Sequence, residues 1–146
     1  MTNQQKPMSN TLVQPYLFFG GRCEEALEFY RSALGASVDF LMRYKDSPEP
    51  HPAGMLPPGF ENKVMHTTFR ISGNILMASD GCGEAPNFAG FALSLALPTE
   101  AEANRAFGAL AVGGEVKMPL TKTFWSPCFG MLTDRFGLSW MISIPA

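Results

Sequence analysis

The sequence has little of what nucleic acid, membrane or disulfide chemistry demands. Its 146 residues carry 11 Lys and Arg against 13 Asp and Glu, for a formal charge of −2 and a pI near 5.6. That leaves no basic stripe to meet phosphates and no polybasic anchor for an anionic bilayer, so nucleic acid and membrane are not expected partners. No apolar run approaches the roughly 18 residues of a membrane span, and the opening MTNQQKPMSNTLVQ lacks a hydrophobic signal core. Cysteine is scarce. Cys23, Cys82 and Cys128 are odd in number, far apart and without a CxxC pair, which points to reduced thiols in a cytoplasmic protein. Histidine occurs only at 51 and 66, so no His cluster is available for a metal. The length suits one domain, able to bury roughly 70% of its unfolded surface without a cross-link.

What is present is a strong period-two pattern near the end. In Cys128–Ile144, CFGMLTDRFGLSWMISI, Phe129, Met131 and Thr133 alternate with Gly130, Leu132 and Asp134, and Trp140, Ile142 and Ile144 alternate with Met141 and Ser143. Alternation of this kind predicts two strands. Asp134 to Gly137 makes the hairpin turn, since Asp bonds its own backbone and Gly takes positive φ without a Cβ clash. The pattern occurs twice. In Met65–Asp80, MHTTFRISGNILMASD, aligning Gly73 with Gly137 places Leu76 on Trp140 and Met77 on Met141.

Residues 1–13 are polar and expected to be flexible. Gln14–Phe19 predicts a short strand ended by Gly20-Gly21. Cys23–Leu34 predicts a helix with Ala26, Leu27, Tyr30, Ala33 and Leu34 on one face, Glu24 and Glu25 at its positive end and Gly35 as its stop. A strand over Ser37–Tyr44 leads into Lys45–Lys63, where five prolines and two glycines exclude regular structure. Such a connection is either disordered or a lid, with Met55, Leu56 and Phe60 apolar enough to cover something. Strands at Val64–Ile71 and Asn74–Asp80 close the first half. After a linker, Phe91–Leu97 predicts a strand, Thr99 with Glu102 a capping box opening a helix to about Leu110, and Glu115–Lys122 a further strand. The expectation is an α+β fold: a single domain over 14–146 made of two βαβββ modules, at about 14–80 and 90–146.

This doubled module resembles the vicinal oxygen chelate superfamily of glyoxalases, extradiol dioxygenases and fosfomycin- and bleomycin-resistance proteins, and within it the PhnB-like branch, whose domain name is that of a 3-demethylubiquinone methyltransferase. The residues that carry the resemblance are Pro15–Phe19 leading through Cys23 to Leu27–Tyr30 and Leu34-Gly35; Met65-His66 with Arg70-Ile71; Met77 with Ser79-Asp80; Thr123-Phe124-Trp125 with Phe129-Gly130; and Thr133-Asp134 with Phe136-Gly137 and Trp140-Met141-Ile142. It implies a mixed sheet curled around a cavity, completed by a homodimer. It also implies divalent-metal ligands on the first and last strands of each module. Here the last-strand positions hold Met141 and, by the internal repeat, Met77, and the first-strand positions fall near Pro15-Tyr16 and Phe91-Ala92. A thioether is a poor ligand for hard or borderline ions. No metal and no cofactor is therefore expected, a divalent ion being left only to a non-standard ligand set.

Alternation also places His66, Thr68 and Arg70 on one face of their strand. His66 is the candidate general base, or else a histidine bonded to a backbone carbonyl. Thr68, Arg70, Met77, Trp125, Phe129 and Met141 are the candidate ligand-binding residues: Trp125 and Phe129 as an aromatic wall, Met77 and Met141 as a floor, and Arg70 as a clamp for a carboxylate or phosphonate. Asp80 orients a polar ligand or starts a turn. His51 is read as solvated, and Cys128 as an inert thiol. Leu76–Gly83, LMASDGCG, is similar to the acidic, glycine-rich loop of S-adenosylmethionine methyltransferases. That loop must open a helix, whereas Phe91–Leu97, the next patterned segment of this chain, reads as strand. Two functions remain: a small-molecule-binding protein with a cavity in the dimer, and a lyase or isomerase using His66 as base.

Overall fold

The computed structural model describes residues 10–146. Of the flexible terminus expected at 1–13, residues 1–9 fall outside the described residues, and 11–15 run without regular structure. Among the described residues, eight strands and two α-helices succeed one another in the order β1 (Tyr16–Phe18), α1 (Cys23–Leu34), β2 (Ser37–Arg43), β3 (Val64–Ile71), β4 (Asn74–Ser79), β5 (Leu93–Ala96), α2 (Glu100–Ala111), β6 (Glu115–Thr121), β7 (Cys128–Thr133) and β8 (Ser139–Ile144). They form two four-stranded mixed sheets, ordered β1-β4-β3-β2 and β5-β8-β7-β6, with the first strand of each module parallel to the last. The fold is the α+β doubled βαβββ arrangement. The two sheets are not joined by a strand pair among the described residues, so no sheet closes there.

Local chemistry accounts for the element ends. Gly35 takes φ 71° and returns its N–H to the Arg31 carbonyl, stopping α1 in the left-handed conformation that only Gly adopts freely. Thr99 caps α2, its hydroxyl accepting from the Glu102 N–H at 3.2 Å. Arg22 at the start of α1 offers no cap. The task falls to Asp80, 57 residues on from Cys23, whose Oδ1 accepts from the N–H groups of Gly21 and Cys23 while its Oδ2 accepts from Val64, each at 2.8 Å. At 1% exposure this carboxylate is an internal staple tying α1 to β3 and β4. Of the two sequence readings, the turn is present, over residues 81–82 directly after Asp80, and the carboxylate itself is spent on the backbone of α1 and β3.

Each helix lies on one face of its sheet, and the two helices pack on each other. One core runs through both modules, from Leu17, Tyr30, Phe69 and Leu76 to Leu110, Leu132, Trp140 and Ile142. Its hinge point is Asp134, 3% exposed. Oδ1 closes the β7–β8 turn by accepting from the N–H groups of Phe136 and Leu138, and Oδ2 accepts from the Trp140 indole at 2.9 Å and the Tyr30 hydroxyl of the other module at 2.5 Å.

The proline-rich connection after β2 is ordered against the chain. Phe60 is buried, Pro57 lies so close to Gly83 that a Cβ there would stand 2.6 Å from it, and Lys63 donates to the Gly21 carbonyl at 2.8 Å. Tyr44 donates to the Gly81 carbonyl, and His51 lies against the Tyr44 ring with its Nε2 3.2 Å from the Tyr44 carbonyl. His51, read as solvated, thus helps fasten the loop. Of the apolar loop residues Met55, Leu56 and Phe60, only Met55 stays exposed.

Candidate functional site

The helix sides of both sheets share the core, so their other faces point away from it. On the first sheet, β3 alternates from His66 onward as its sequence predicts: Thr67, Phe69 and Ile71 are buried, and His66, Thr68 and Arg70 are half-buried on the open face. Before that the order breaks, with Val64 buried and Met65 half-buried, where β2 shifts register between Met42 and Arg43. Strand register adds neighbours that periodicity alone could not supply. Tyr16, Met77, Thr68 and Phe40 stand in one line across β1, β4, β3 and β2. The Tyr16 hydroxyl lies 2.8 Å from His66 Nδ1, and Thr68 Oγ1 lies 3.5 Å from His66 Nε2. The Phe18 ring is 5.0 Å from that of Tyr16, and the Phe40 ring 6.3 Å from His66. Phe18 and Phe40 are 54% and 48% exposed. Burial raises the Tyr16 hydroxyl above the usual phenol value, so it stays a neutral phenol. Arg70 does not stand free: its Nε donates to Asp39 on β2 at 2.6 Å.

The second sheet presents sulfur where the first presents rings. Ser94, Met141, Met131 and Met118 stand in line across β5, β8, β7 and β6, each methionine half-buried. The Trp125 ring lies edge-on to Phe129 at 5.4 Å and to Phe124 at 4.7 Å. Phe129 is buried beneath it while Trp125 is 49% exposed. Phe129 and Met141 therefore belong to one sheet, with Trp125 in the β6–β7 connection beside it, and His66, Thr68, Arg70 and Met77 belong to the other. Within one chain the structure brings together each group, but not the two with each other.

Register also identifies the residues at the metal-ligand positions implied by the resemblance. Met77 is paired with Tyr16, and Met141 with Ser94; Phe91 and Ala92, where the sequence placed the second module's first-strand position, precede β5. The donors are a phenol, a hydroxyl and two thioethers, which do not fit a hard divalent ion. Among the described residues no three His, Cys, Asp or Glu side chains gather as a metal-binding set. The glycine-rich stretch after β4 runs through residues 81–92 to β5 without opening a helix. Among the described residues no helix is long and apolar enough to cross a membrane.

Phe18 and Phe40 escaped the sequence reading, and Tyr16 entered it only as a first-strand position of the metal-ligand pattern. The signal for Tyr16 was its place on the first strand, but its contact with His66 spans 50 residues. Burial raises the Cys23 thiol well above its ordinary value, aided by the nearby Asp80 charge, so it is inert.

Two mixed βαβββ sheets, each backed by one helix around a common core, define the vicinal oxygen chelate fold. The family model described as 3-demethylubiquinone-9 3-methyltransferase matches residues 11–143, and the chain belongs to that family, the PhnB-like branch of the superfamily. It is 36% identical over 141 residues to protein YjdN of Escherichia coli, covering 90% of this chain and 94% of that one. Protein PA1353 from Pseudomonas aeruginosa superposes with a TM-score of 0.80 at 39% identity, over 93% of this chain and 98% of the other. The PhnB protein from Bacillus cereus does so with a TM-score of 0.76 at 28% identity, over 92% and 99%.

Proposed function

We propose that this PhnB-like protein binds a small organic ligand in a cavity of a homodimer, without the divalent metal of its superfamily relatives. The observation that carries the reading is the pair of outward-facing sheets. One bears His66, Thr68 and Met77 among half-exposed aromatic rings, and the other bears three methionines in line beside Trp125 and Phe129. The residues of both faces stay partly exposed in the single chain, and large exposed apolar faces call for a partner surface. A second copy laying its methionine sheet over the first copy's aromatic sheet encloses such a space twice by symmetry. The thioethers and rings suit a planar or apolar frame, and Thr68, His66 and the outer end of Arg70 supply its polar contacts. The donor set at Tyr16, Met77, Ser94 and Met141 speaks for a metal-free site. Three free cysteines speak for a reducing cytoplasm.

A second reading, a lyase or isomerase with His66 as general base, is favoured by the position of His66 on the open face with a phenol on one ring nitrogen and a hydroxyl near the other. Native mass spectrometry before and after incubation with Mn²⁺, Ni²⁺ and Zn²⁺ tests both. A metal-free dimer carrying a retained small-molecule mass supports the binding reading. A monomer, or stoichiometric metal that survives buffer exchange, overturns it and directs attention to metal-dependent chemistry.

A further inference from the structure

Resting on the ligand-binding reading, we infer that Tyr16 is a positioning residue that fixes His66 as a hydrogen-bond donor toward the open face, so that the site selects a ligand bearing an acceptor oxygen, of the carboxylate class, on a planar apolar frame.

The direction of the hydrogen bond follows from the strengths of the two partners. A neutral phenol O–H is a stronger donor than an imidazole N–H, and an unprotonated imidazole nitrogen is a better acceptor than a phenol oxygen. At 2.8 Å the Tyr16 proton therefore points to His66 Nδ1, and a nitrogen that accepts there leaves the neutral ring protonated at Nε2. The N–H at Nε2 faces Thr68 Oγ1 at 3.5 Å, the outer limit of a hydrogen bond, so an oxygen on a ligand displaces that contact readily.

The surroundings agree with an oxygen-bearing ligand. The Thr68 hydroxyl and the Arg70 guanidinium continue along the same strand face, and the carboxylate bonded there, Asp39, holds Arg70 by Nε at 2.6 Å, while its terminal nitrogens make no hydrogen bond among the described residues. Tyr16, Phe18, Phe40 and Met77 supply the flat apolar ground. A ligand amine would meet an N–H in place of an acceptor. A ring nitrogen already committed to Tyr16 and a second one carrying a proton also leave His66 no free lone pair, which counts against the general-base reading.

The test is the imidazole ¹⁵N spectrum of the full chain above the histidine titration. The expected result is His66 protonated at Nε2, with an Nδ1 signal displaced by hydrogen bonding that returns to the unbonded position in Tyr16→Phe. A ring protonated at Nδ1, or an Nδ1 signal indifferent to Tyr16→Phe, overturns the inference. Titration with benzoate and benzylamine, which share a ring and differ in charge, then reads the ligand class. Benzoate is expected to move the Nε2–H signal and to bind roughly 2- to 10-fold more weakly to Tyr16→Phe, while benzylamine leaves the signal in place. Benzylamine binding at least as well as benzoate, or a hydrogen-bonded Nδ1 with an Nε2–H that neither compound moves, overturns the ligand class. Failure of the binding reading itself shows elsewhere, as a protein without dimer or retained mass in native mass spectrometry.

Discussion

Removing the Asp134 carboxylate should bring the protein close to unfolding, because one buried group terminates four donors. In Asp134→Ala the N–H groups of Phe136 and Leu138, the Tyr30 hydroxyl and the Trp140 indole all lose their acceptor, and all four residues are at most 7% exposed. A buried donor left unpaired costs about 1–3 kcal/mol. Even at the lower end the loss approaches the roughly 5–15 kcal/mol that holds a domain together. A measurable version uses two gentler variants. Tyr30→Phe takes away one donor and leaves the other three bonds, and because its acceptor is charged the expected cost is about 1.5–3 kcal/mol. Asp134→Asn keeps the shape but turns one oxygen into an amide that cannot accept from the N–H groups facing it. The assay is urea denaturation, monitored by far-UV circular dichroism and tryptophan fluorescence. With a slope of about 1–3 kcal/mol/M, Tyr30→Phe should lower the midpoint by roughly 1 M. Tyr30 stands on α1 of one module and Asp134 in the β7–β8 turn of the other, so the two probes should report a single transition. The double variant should be non-additive by at least about 0.5 kcal/mol. A Tyr30→Phe cost below about 0.5 kcal/mol, or two separate transitions, would refute the view that this carboxylate locks the modules together.

Four further outcomes are expected. Gly130→Ala should destabilise by about 1–3 kcal/mol in the same denaturation assay, because its Cβ would stand 2.8 Å from Phe107 and 3.0 Å from the Met118 carbonyl, where α2 presses on β7. At mildly alkaline pH a thiol reagent should modify Cys82 quickly and reach Cys23 and Cys128 only on unfolding, since the last two are buried; rapid modification of all three would show a looser core. His66→Ala should change stability by less than about 1 kcal/mol while abolishing ligand retention, as expected of a half-buried open-face residue; a loss of several kcal/mol would place it in the core. Glu24 is held below the ordinary carboxylate range by its paired hydrogen bonds to Arg43 at 2.7 and 2.9 Å. Its contribution is therefore present in full above the ordinary value of 4.5 and is lost as pH falls through the lowered folded value. The stability gap between wild type and Glu24→Gln should close on acidification; for so exposed a pair it will be small, and a gap that widens would contradict the assignment.

The fold was readable because its signals are local. Alternation over 66–71 set both faces of β3, Gly35 and Thr99 marked helix ends, and the repeat of Gly73 and Gly137 exposed the doubling. The polar half of the site was readable for the same reason, since His66, Thr68 and Arg70 lie two residues apart on one strand. What the sequence hid depends on pairing between distant strands. Phe40 shares its line with Thr68 only because β2 shifts register between Val38 and Phe40, and such a bulge breaks the period that a sequence reading tracks. Asp80 and Asp134 were hidden by an adequate local explanation. Each sits beside a glycine-containing turn and needs no further role on sequence grounds, yet each reaches a partner in a distant element. Nor does periodicity say which face meets which, so two groups of candidate residues on different sheets looked like one pocket.

The doubling itself explains why these sheets differ. Equivalent lines cross the two modules, Tyr16–Met77–Thr68–Phe40 in one and Ser94–Met141–Met131–Met118 in the other, so one backbone frame carries two different surfaces. In the ligand-binding reading, the rings and polar groups of the first surface would make it selective, and the unbranched thioethers of the second would make it adaptable, able to match the outline of whatever lies against it. In a dimer that apposes unlike faces, every cavity has one selective wall and one compliant wall, and each depends on the other copy. A substitution on either sheet would then act at both cavities at once. Binding would therefore fall together with dimer formation on dilution, whereas a site complete within one chain would keep its ligand at concentrations where the dimer has come apart.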